Sequence, residues 1–292
     1  MRRSLLLLIA GLLFLTAACR RRPQHVVVGS KFFTEQVVLT ELLAQHIEAH
    51  TGVRVERRSN LGSTQICHQA LLAGGIDVYV EYTGTALTAV LGENPSGDSR
   101  AVYERVRQAY ADRFGLVVAE PLGYENTFAL VVRAEDARRD HLRAISDIAP
   151  LAPRWRIGVG YEFLERPDGY RGWSERYGLR FAEPPRVMDL GLIYRALKEK
   201  LVDIVAGNST DGLIDALGLV ALEDDRHYFP PYDAVPIARR EALEKFPKFR
   251  SALAGLAGKI TAAEMRRLNY AVDGEHRDVA DVVRSFRQSK GL

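Results

Sequence analysis

Residues 76–85 read Ile76-Asp77-Val78-Tyr79-Val80-Glu81-Tyr82-Thr83-Gly84-Thr85, and their reading decides the fold class. The apolar, β-branched and aromatic run from Ile76 to Val80 predicts a buried strand. Thr83, Gly84 and Thr85 then bring small and hydroxyl residues to the strand's carboxyl end, immediately before a helix expected to run through Leu91. A strand handing over to a helix across such a junction is the unit of a mostly parallel sheet covered by helices. The junction is also where open sheets of this kind hold ligands, beyond the strand ends.

The same unit recurs upstream. Val26-Val27-Val28 is a short strand stopping at Gly29-Ser30-Lys31, and Thr34 is expected to cap a helix with the apolar face Val37, Val38, Leu42, Leu43 and Ile47. Gly52 ends that helix, Val53-Arg54-Val55 starts a second strand, and Ser63 or Thr64 opens a helix closed by Gly74-Gly75. Downstream, a helix is expected from about Ser99 to Phe114, a strand near Val117-Val118 and one long strand from Asn126 to Arg133. The alternation then restarts: a helix near Ile145, strand Arg156 to Val159, a helix around Tyr170 to Tyr177, a strand near Arg180-Phe181, helix Leu190 to Lys198 and strand Val202 to Ala206. From Arg239 onward the chain reads as helices. Two alternating blocks in 292 residues predict an α/β protein of two lobes.

Three junctions therefore stand out: Gly29-Ser30-Lys31, Tyr82-Thr83-Gly84-Thr85 and Gly207-Asn208-Ser209-Thr210-Asp211-Gly212. Each alone is explained by helix capping; three in one chain point to a binding cleft. Free N–H groups at helix starts favour an anionic group there. None of the three has the spacing of a phosphate-cradling loop or a dinucleotide fingerprint.

Hydrophobic residues make up 47% of the chain and charged residues 26%, a globular composition that excludes a disordered chain. The formal net charge of +3 includes Arg2 and Arg3, so the remainder is close to neutral and implies no nucleic-acid partner. Arg2 and Arg3 precede an apolar run from Leu5 to Leu15 and the small residues Thr16, Ala17 and Ala18, then Cys19. This is a secretory leader, too short to span a bilayer. Residues 1–19 also resemble a bacterial lipobox, with Cys19 as the lipidated residue and 20–24 as a tether. Cleavage after Ala18 with a free Cys19 is the other reading. Either places the protein outside the cytoplasm, periplasmic or otherwise extracytoplasmic, and lipidation would anchor it to a bacterial membrane.

No catalytic constellation appears: there is no GxSxG, HExxH or CxxC. His46 and His50 share a helix face but neighbour polar residues, which predicts a solvated face rather than a metal site. Cys67 and His68 point about 100° apart on a helix, and Cys67 reads as a buried apolar residue. If the protein were an enzyme, Cys67 would be the candidate nucleophile. No metal or cofactor is expected.

Taken together, several segments resemble one family, the substrate-binding proteins of ABC importers for glycine betaine, choline, carnitine and other osmoprotectant quaternary amines. Gly29-Ser30-Lys31-Phe32-Phe33-Thr34-Glu35-Gln36 resembles its opening motif, and residues 76–85 its second. Asn126-Thr127-Phe128-Ala129-Leu130, Glu162 to Gly169, Asn208-Ser209-Thr210-Asp211-Gly212 and Phe229-Pro230-Pro231-Tyr232 follow in family order. The resemblance implies a two-lobed type II periplasmic-binding fold with the ligand between lobes, lobe one at 24–128 plus 236–292 and lobe two at 129–235. It implies a monomeric, non-enzymatic capture subunit, with a small zwitterion as ligand and permease and ATPase subunits as partners. It also places an aromatic cage for a quaternary ammonium on Tyr82, Phe128, Asn208 and Tyr232, and a carboxylate site on Lys31, Thr85 and Arg166. The sequence departs from the pattern in three places: Phe128 lacks a tyrosine hydroxyl, Asn208 stands where many members carry Tyr, and Asn126 stands where some carry Asp. These departures leave room for a larger or more polar zwitterion, such as an ergothioneine-like compound or an amino acid.

Overall fold

A computed structural model describes residues 25–94 and 98–292; the leader, Cys19 and the tether lie outside the described residues. The strands are β1 (Val26–Lys31), β2 (Val55–Gly62), β3 (Val78–Tyr82), β4 (Leu116–Val118), β5 (Phe128–Arg133), β6 (Ile157–Val159), β7 (Arg186–Val187), β8 (Ile204–Asn208), β9 (Leu219–Ala221) and β10 (Ala234–Arg239). The α-helices are α1 (Thr34–Thr51), α2 (Thr64–Leu72), α3 (Ser99–Phe114), α4 (Ala134–Arg139), α5 (Tyr161–Glu165), α6 (Tyr170–Tyr177), α7 (Leu190–Lys198), α8 (Leu213–Ala216), α9 (Arg240–Lys245), α10 (Phe249–Gly255), α11 (Ala262–Asp273) and α12 (Val279–Lys290), with a helical turn Thr83–Thr85 besides.

Two sheets of five strands result, ordered β2-β1-β3-β10-β4 and β7-β6-β8-β5-β9. Each is parallel on one side and carries one antiparallel strand inside it: β10 in the first, against β3 and β4, and β5 in the second, against β8 and β9. The chain leaves the first sheet after β4 to form β5, and returns after β9 to form β10. These two crossings bring residues 119–127 and 222–233 between the sheets.

Strand alternation explains why both sheets are covered on both faces. In β3, Val78 and Val80 face a core packed by α1 and α10 to α12, while Tyr79 faces a second core with Cys67, Val106 and Tyr110. In β5, Leu130 and Val132 join a core with Trp173, whereas Ala129 and Val131 join Ile193 and Leu197 of α7. Every sheet is thus sealed by helices, and the strand ends are left to the cleft.

Several local expectations are corrected. Phe33, not Thr34, occupies the cap position of α1; the Thr34 hydroxyl instead donates to Asp273 at 2.6 Å. Gly52 does end α1, in the left-handed conformation at φ 70°. The strand expected near Arg180-Phe181 is found at Arg186–Val187, and Phe181 stacks on Trp173 at 6.1 Å as a core side chain. The long strand expected from Asn126 begins at Phe128, because Asn126 and Thr127 belong to the crossing. The helix after Thr85 continues as a π-helical stretch, Ala86–Val90. The central strand β10 is absent from the sequence expectation; Pro236 within it argues against an interior strand, yet its carbonyl accepts from Ala119 at 2.9 Å.

Candidate functional site

The three junctions singled out in the sequence follow β1, β3 and β8, and they converge. Lys31, Tyr82, Thr85 and Asn208 line one cavity of about 380 Å³, joined by Phe128 from the start of β5, Tyr232 from the second crossing and Arg166 from the segment after α5. All seven residues proposed for the ligand therefore surround a single space between the sheets. Asn126 lines it too. Sequence reasoning missed three parts of the lining: Phe32 and Phe33 beside Lys31, Val187 to Leu190 at the β7–α7 junction, and Gly160 to Phe163 at the β6–α5 junction. The second has the signature of the other junctions, since Asp189 caps α7 by accepting from Gly191 N–H at 2.8 Å. Misplacing β7 hid it.

The two cations in the lining are already partnered. Lys31 is 1% exposed; its Nζ donates to Glu81 Oε1 at 2.5 Å and to Thr64 Oγ1 at 3.2 Å, and lies 4.8 Å from the Tyr82 ring centroid. A buried ammonium is tolerated because it is paired and hydrogen-bonded. Arg166 forks onto Asp168 through Nε at 2.8 Å and Nη2 at 2.5 Å, and donates from Nη1 to Thr85 Oγ1 at 2.8 Å. Its guanidinium lies 4.8 Å from the Phe128 centroid and 5.5 Å from that of Tyr232. The Tyr232 hydroxyl donates to Asp168 Oδ2 at 2.5 Å. Burial alone would raise the Asp168 carboxyl, but the Arg166 guanidinium and the Tyr232 hydroxyl hold it below its ordinary value. Two lining carboxylates differ: among the described residues Glu162 and Asp189 have no ion-pair partner within 4 Å. Glu162 Oε1 instead accepts from Thr64 N–H at 3.2 Å. With Lys31 and Arg166 neutralised locally, the cavity walls carry an unmatched negative charge, a field that favours a cation.

The Thr85–Arg166 and Thr64–Glu162 bonds span the gap between the two sheets and hold the halves face to face. A buried carboxylate ties the floor together behind them. Glu35, 2% exposed on α1, accepts five hydrogen bonds. Oε1 takes the hydroxyls of Tyr82 (2.6 Å) and Tyr124 (2.9 Å) and the Asn126 amide (3.1 Å); Oε2 takes the Thr210 hydroxyl (2.5 Å) and the Asn269 amide (3.0 Å). The donors come from β3, the crossing, the loop after β8 and α11. One side chain thereby orients the Tyr82 wall and anchors the loop that follows Asn208. Nearby, Asp211 Oδ2 accepts from Tyr194 (2.5 Å) and from Asn208 N–H (3.0 Å), and burial pushes its carboxyl up to about 7.

Cys67 lies in the core and outside the cavity lining; burial pushes its thiol up to about 12, the opposite of what a nucleophile needs, and this corrects its candidacy. His46 is buried rather than solvated, and burial lowers it to about 4. Among the described residues no group of three or more His, Cys, Asp or Glu side chains could hold a metal, and no helix is long and apolar enough to cross a membrane.

Comparison with known proteins bears on this arrangement. Residues 24–289 match the family described as the substrate binding domain of ABC-type glycine betaine transport systems, OpuAC. Carnitine transport binding protein OpuCC of Listeria monocytogenes is 37% identical over 265 residues, which cover 89% of this chain and 85% of the relative. The ergothioneine transport permease/ergothioneine binding protein EgtU of Helicobacter pylori is 31% identical over 289 residues, 99% of this chain and 52% of that longer protein. Among solved structures, that of a glycine betaine/carnitine/choline ABC transporter superposes with a TM-score of 0.77 at 34% identity, over 91% of this chain and 98% of the other.

Proposed function

The chain belongs to the family of substrate-binding domains of ABC-type glycine betaine transport systems, and on that premise we propose that it captures a quaternary-ammonium zwitterion between its two sheets. The observation that carries the ligand class is the cavity itself: aromatic faces of Tyr82, Phe128 and Tyr232 beside two unmatched carboxylates and two anchored cations. A quaternary ammonium has no N–H to donate, so it is held by aromatic faces, at about 0.5–2 kcal/mol each, and by negative field. Its carboxylate needs donors in fixed places. The guanidinium of Arg166 has five N–H groups, and its bonds to Asp168, Tyr232 and Thr85 leave one on Nη1. Lys31 keeps one N–H beyond Glu81 and Thr64. In this reading Lys31, Thr85 and Arg166 receive the carboxylate, Tyr82, Phe128 and Tyr232 the ammonium, and Asn208 forms the fourth, polar wall.

The proposal extends to the molecule's working cycle. The two lobes are those built on the two sheets, the second starting at Phe128 and the first resuming at Ala234, and they close by a hinge at the crossings because the ligand binds the closed state better. The protein works outside the cytoplasm as a monomer, anchored through lipidated Cys19, and delivers its ligand chemically unchanged to a permease powered by an ATPase. Isothermal titration against glycine betaine, carnitine, choline and ergothioneine tests the reading. Saturable heat is expected from carboxylate-bearing quaternary amines, with choline weaker. Absence of saturable heat from all four would refute it.

A further inference from the structure

A second cavity, of about 340 Å³, adjoins the first, and Phe32, Phe33, Asp189, Leu190 and Asn208 line both. Beyond that common wall the second cavity presents Asp211 and Asp273 among apolar Val37, Leu213 and Val272, and among the described residues no Lys, Arg or His lines it. The first cavity alone falls within the roughly 300–1,000 Å³ of sites that take drug-sized ligands. A ligand as small as glycine betaine leaves much of that space unfilled.

Asn208 occupies the decisive place in the common wall. It ends β8 directly opposite Phe128. Its backbone N–H is fixed by Asp211 Oδ2 at 3.0 Å and by the Tyr194 hydroxyl at 3.2 Å. With the backbone pinned, side-chain length decides how far the wall reaches, and an amide stops well short of where an aromatic ring would end. We infer that Asn208 is a specificity-determining gate, and that the chain accepts betaines bearing a polar arm, with hydrogen-bond donors or positive charge, reaching past Asn208 toward Asp211 and Asp273. This rests on the transport reading above and narrows its ligand class.

The chemistry beyond the gate suits such an arm. Asp211 accepts its bonds on Oδ2, and Asp273 accepts from Thr34 on Oδ1. The other oxygen of each accepts no hydrogen bond among the described residues. Burial raises both carboxyls above their ordinary values, and the protein offsets this only in part, through Tyr194 and the Asn208 N–H at Asp211 and through the Thr34 hydroxyl and His276 at Asp273; an entering N–H donor or cation offsets more of it. An apolar arm meets Val37, Leu213 and Val272 there but leaves both carboxyls without a donor, and an anionic arm faces two acidic groups.

The test is titration of the full chain and two variants with glycine betaine, which has no arm, and with ergothioneine, whose ring offers N–H donors. Asn208→Tyr is expected to tighten glycine betaine and to weaken ergothioneine, moving their affinity ratio at least tenfold. Asp273→Asn keeps an oxygen for the Thr34 hydroxyl and removes the charge; it is expected to move the ratio in the same direction by several-fold. That second variant decides the matter if Asn208→Tyr does not fold. Equal shifts for both ligands in the folded variants overturn the gate while leaving the transport reading standing. Silence of the wild-type chain toward both ligands overturns the gate, while the transport reading then stands or falls on the titrations with carnitine and choline.

Discussion

Replacing Glu35 with glutamine keeps the side chain's shape and halves its acceptor capacity. With the amide oxygen facing Tyr82, Tyr124 and Asn126, the new NH2 group faces the Thr210 hydroxyl and the Asn269 amide, both of which donate to Glu35. Thr210 can turn its hydroxyl to accept. Asn269 cannot turn without loss, because its Nδ2 also donates to the Thr210 carbonyl at 2.9 Å. One charge-assisted hydrogen bond, about 1.5–3 kcal/mol, is lost and one buried donor is stranded at about 1–3 kcal/mol. Burying a neutral amide in place of a charge returns part of this, so the net loss is about 2–3 kcal/mol. For a chain of this size that is roughly 3–5 °C in Tm. The Tyr82 wall and the Asn208–Thr210 loop lose their common anchor, so glycine betaine affinity falls as well, by about tenfold for each 1.4 kcal/mol of misalignment. Thermal unfolding and titration of the folded variant measure the two effects separately. A Tm within about 2 °C of wild type, with affinity unchanged, would refute the hub.

Three further outcomes are expected. Arg166→Lys keeps the charge but cannot fork onto Asp168 or hold Thr85; glycine betaine affinity should fall about tenfold or more, and choline, which has no carboxylate, should lose less. Asp211 is raised to about 7 from an ordinary 3.8; between those values the folded chain holds a proton that the unfolded chain has released, so its contribution to stability falls as pH rises through that window. Asp211→Asn keeps an acceptor for Tyr194 and Asn208, so its stability relative to wild type should increase from about pH 5 to about pH 8, as thermal unfolding would report. With its thiol pushed up to about 12 and fully buried, Cys67 should resist alkylation in the native protein and react in denaturant, with peptide mass mapping to separate it from Cys19. Rapid native labelling of Cys67 that abolishes ligand binding would put the thiol back at the site.

The fold was legible in the sequence wherever a short apolar run met a small-residue junction. Val26–Lys31, Val78–Tyr82 and Ile204–Asn208 are such runs, and their junctions bring Lys31, Tyr82, Thr85 and Asn208 to one cavity. Less legible were features set by distant partners. Pro236 disguised β10, whose place between β3 and β4 is decided by pairing across about 120 to 160 residues of chain. Phe181 looks like a strand residue but serves as a core ring against Trp173. Polar partnerships were invisible for the same reason: nothing local in Thr-Glu-Gln announces that Glu35 gathers donors from residues as far away as Asn269. His46 shares its helix with polar neighbours, yet α10 and α12 cover it. The pairing of Lys31 with Glu81 and of Arg166 with Asp168 changes the expected carboxylate site from two free charges to two anchored ones.

A crystal structure of the chain with a bound betaine tests the central claim most directly. The account predicts the ammonium within about 6 Å of the ring centroids of Tyr82, Phe128 or Tyr232, and the carboxylate within hydrogen-bond reach of Lys31, Thr85 and Arg166. A betaine seated outside this cavity, or lying in it with its ends reversed, would contradict the account.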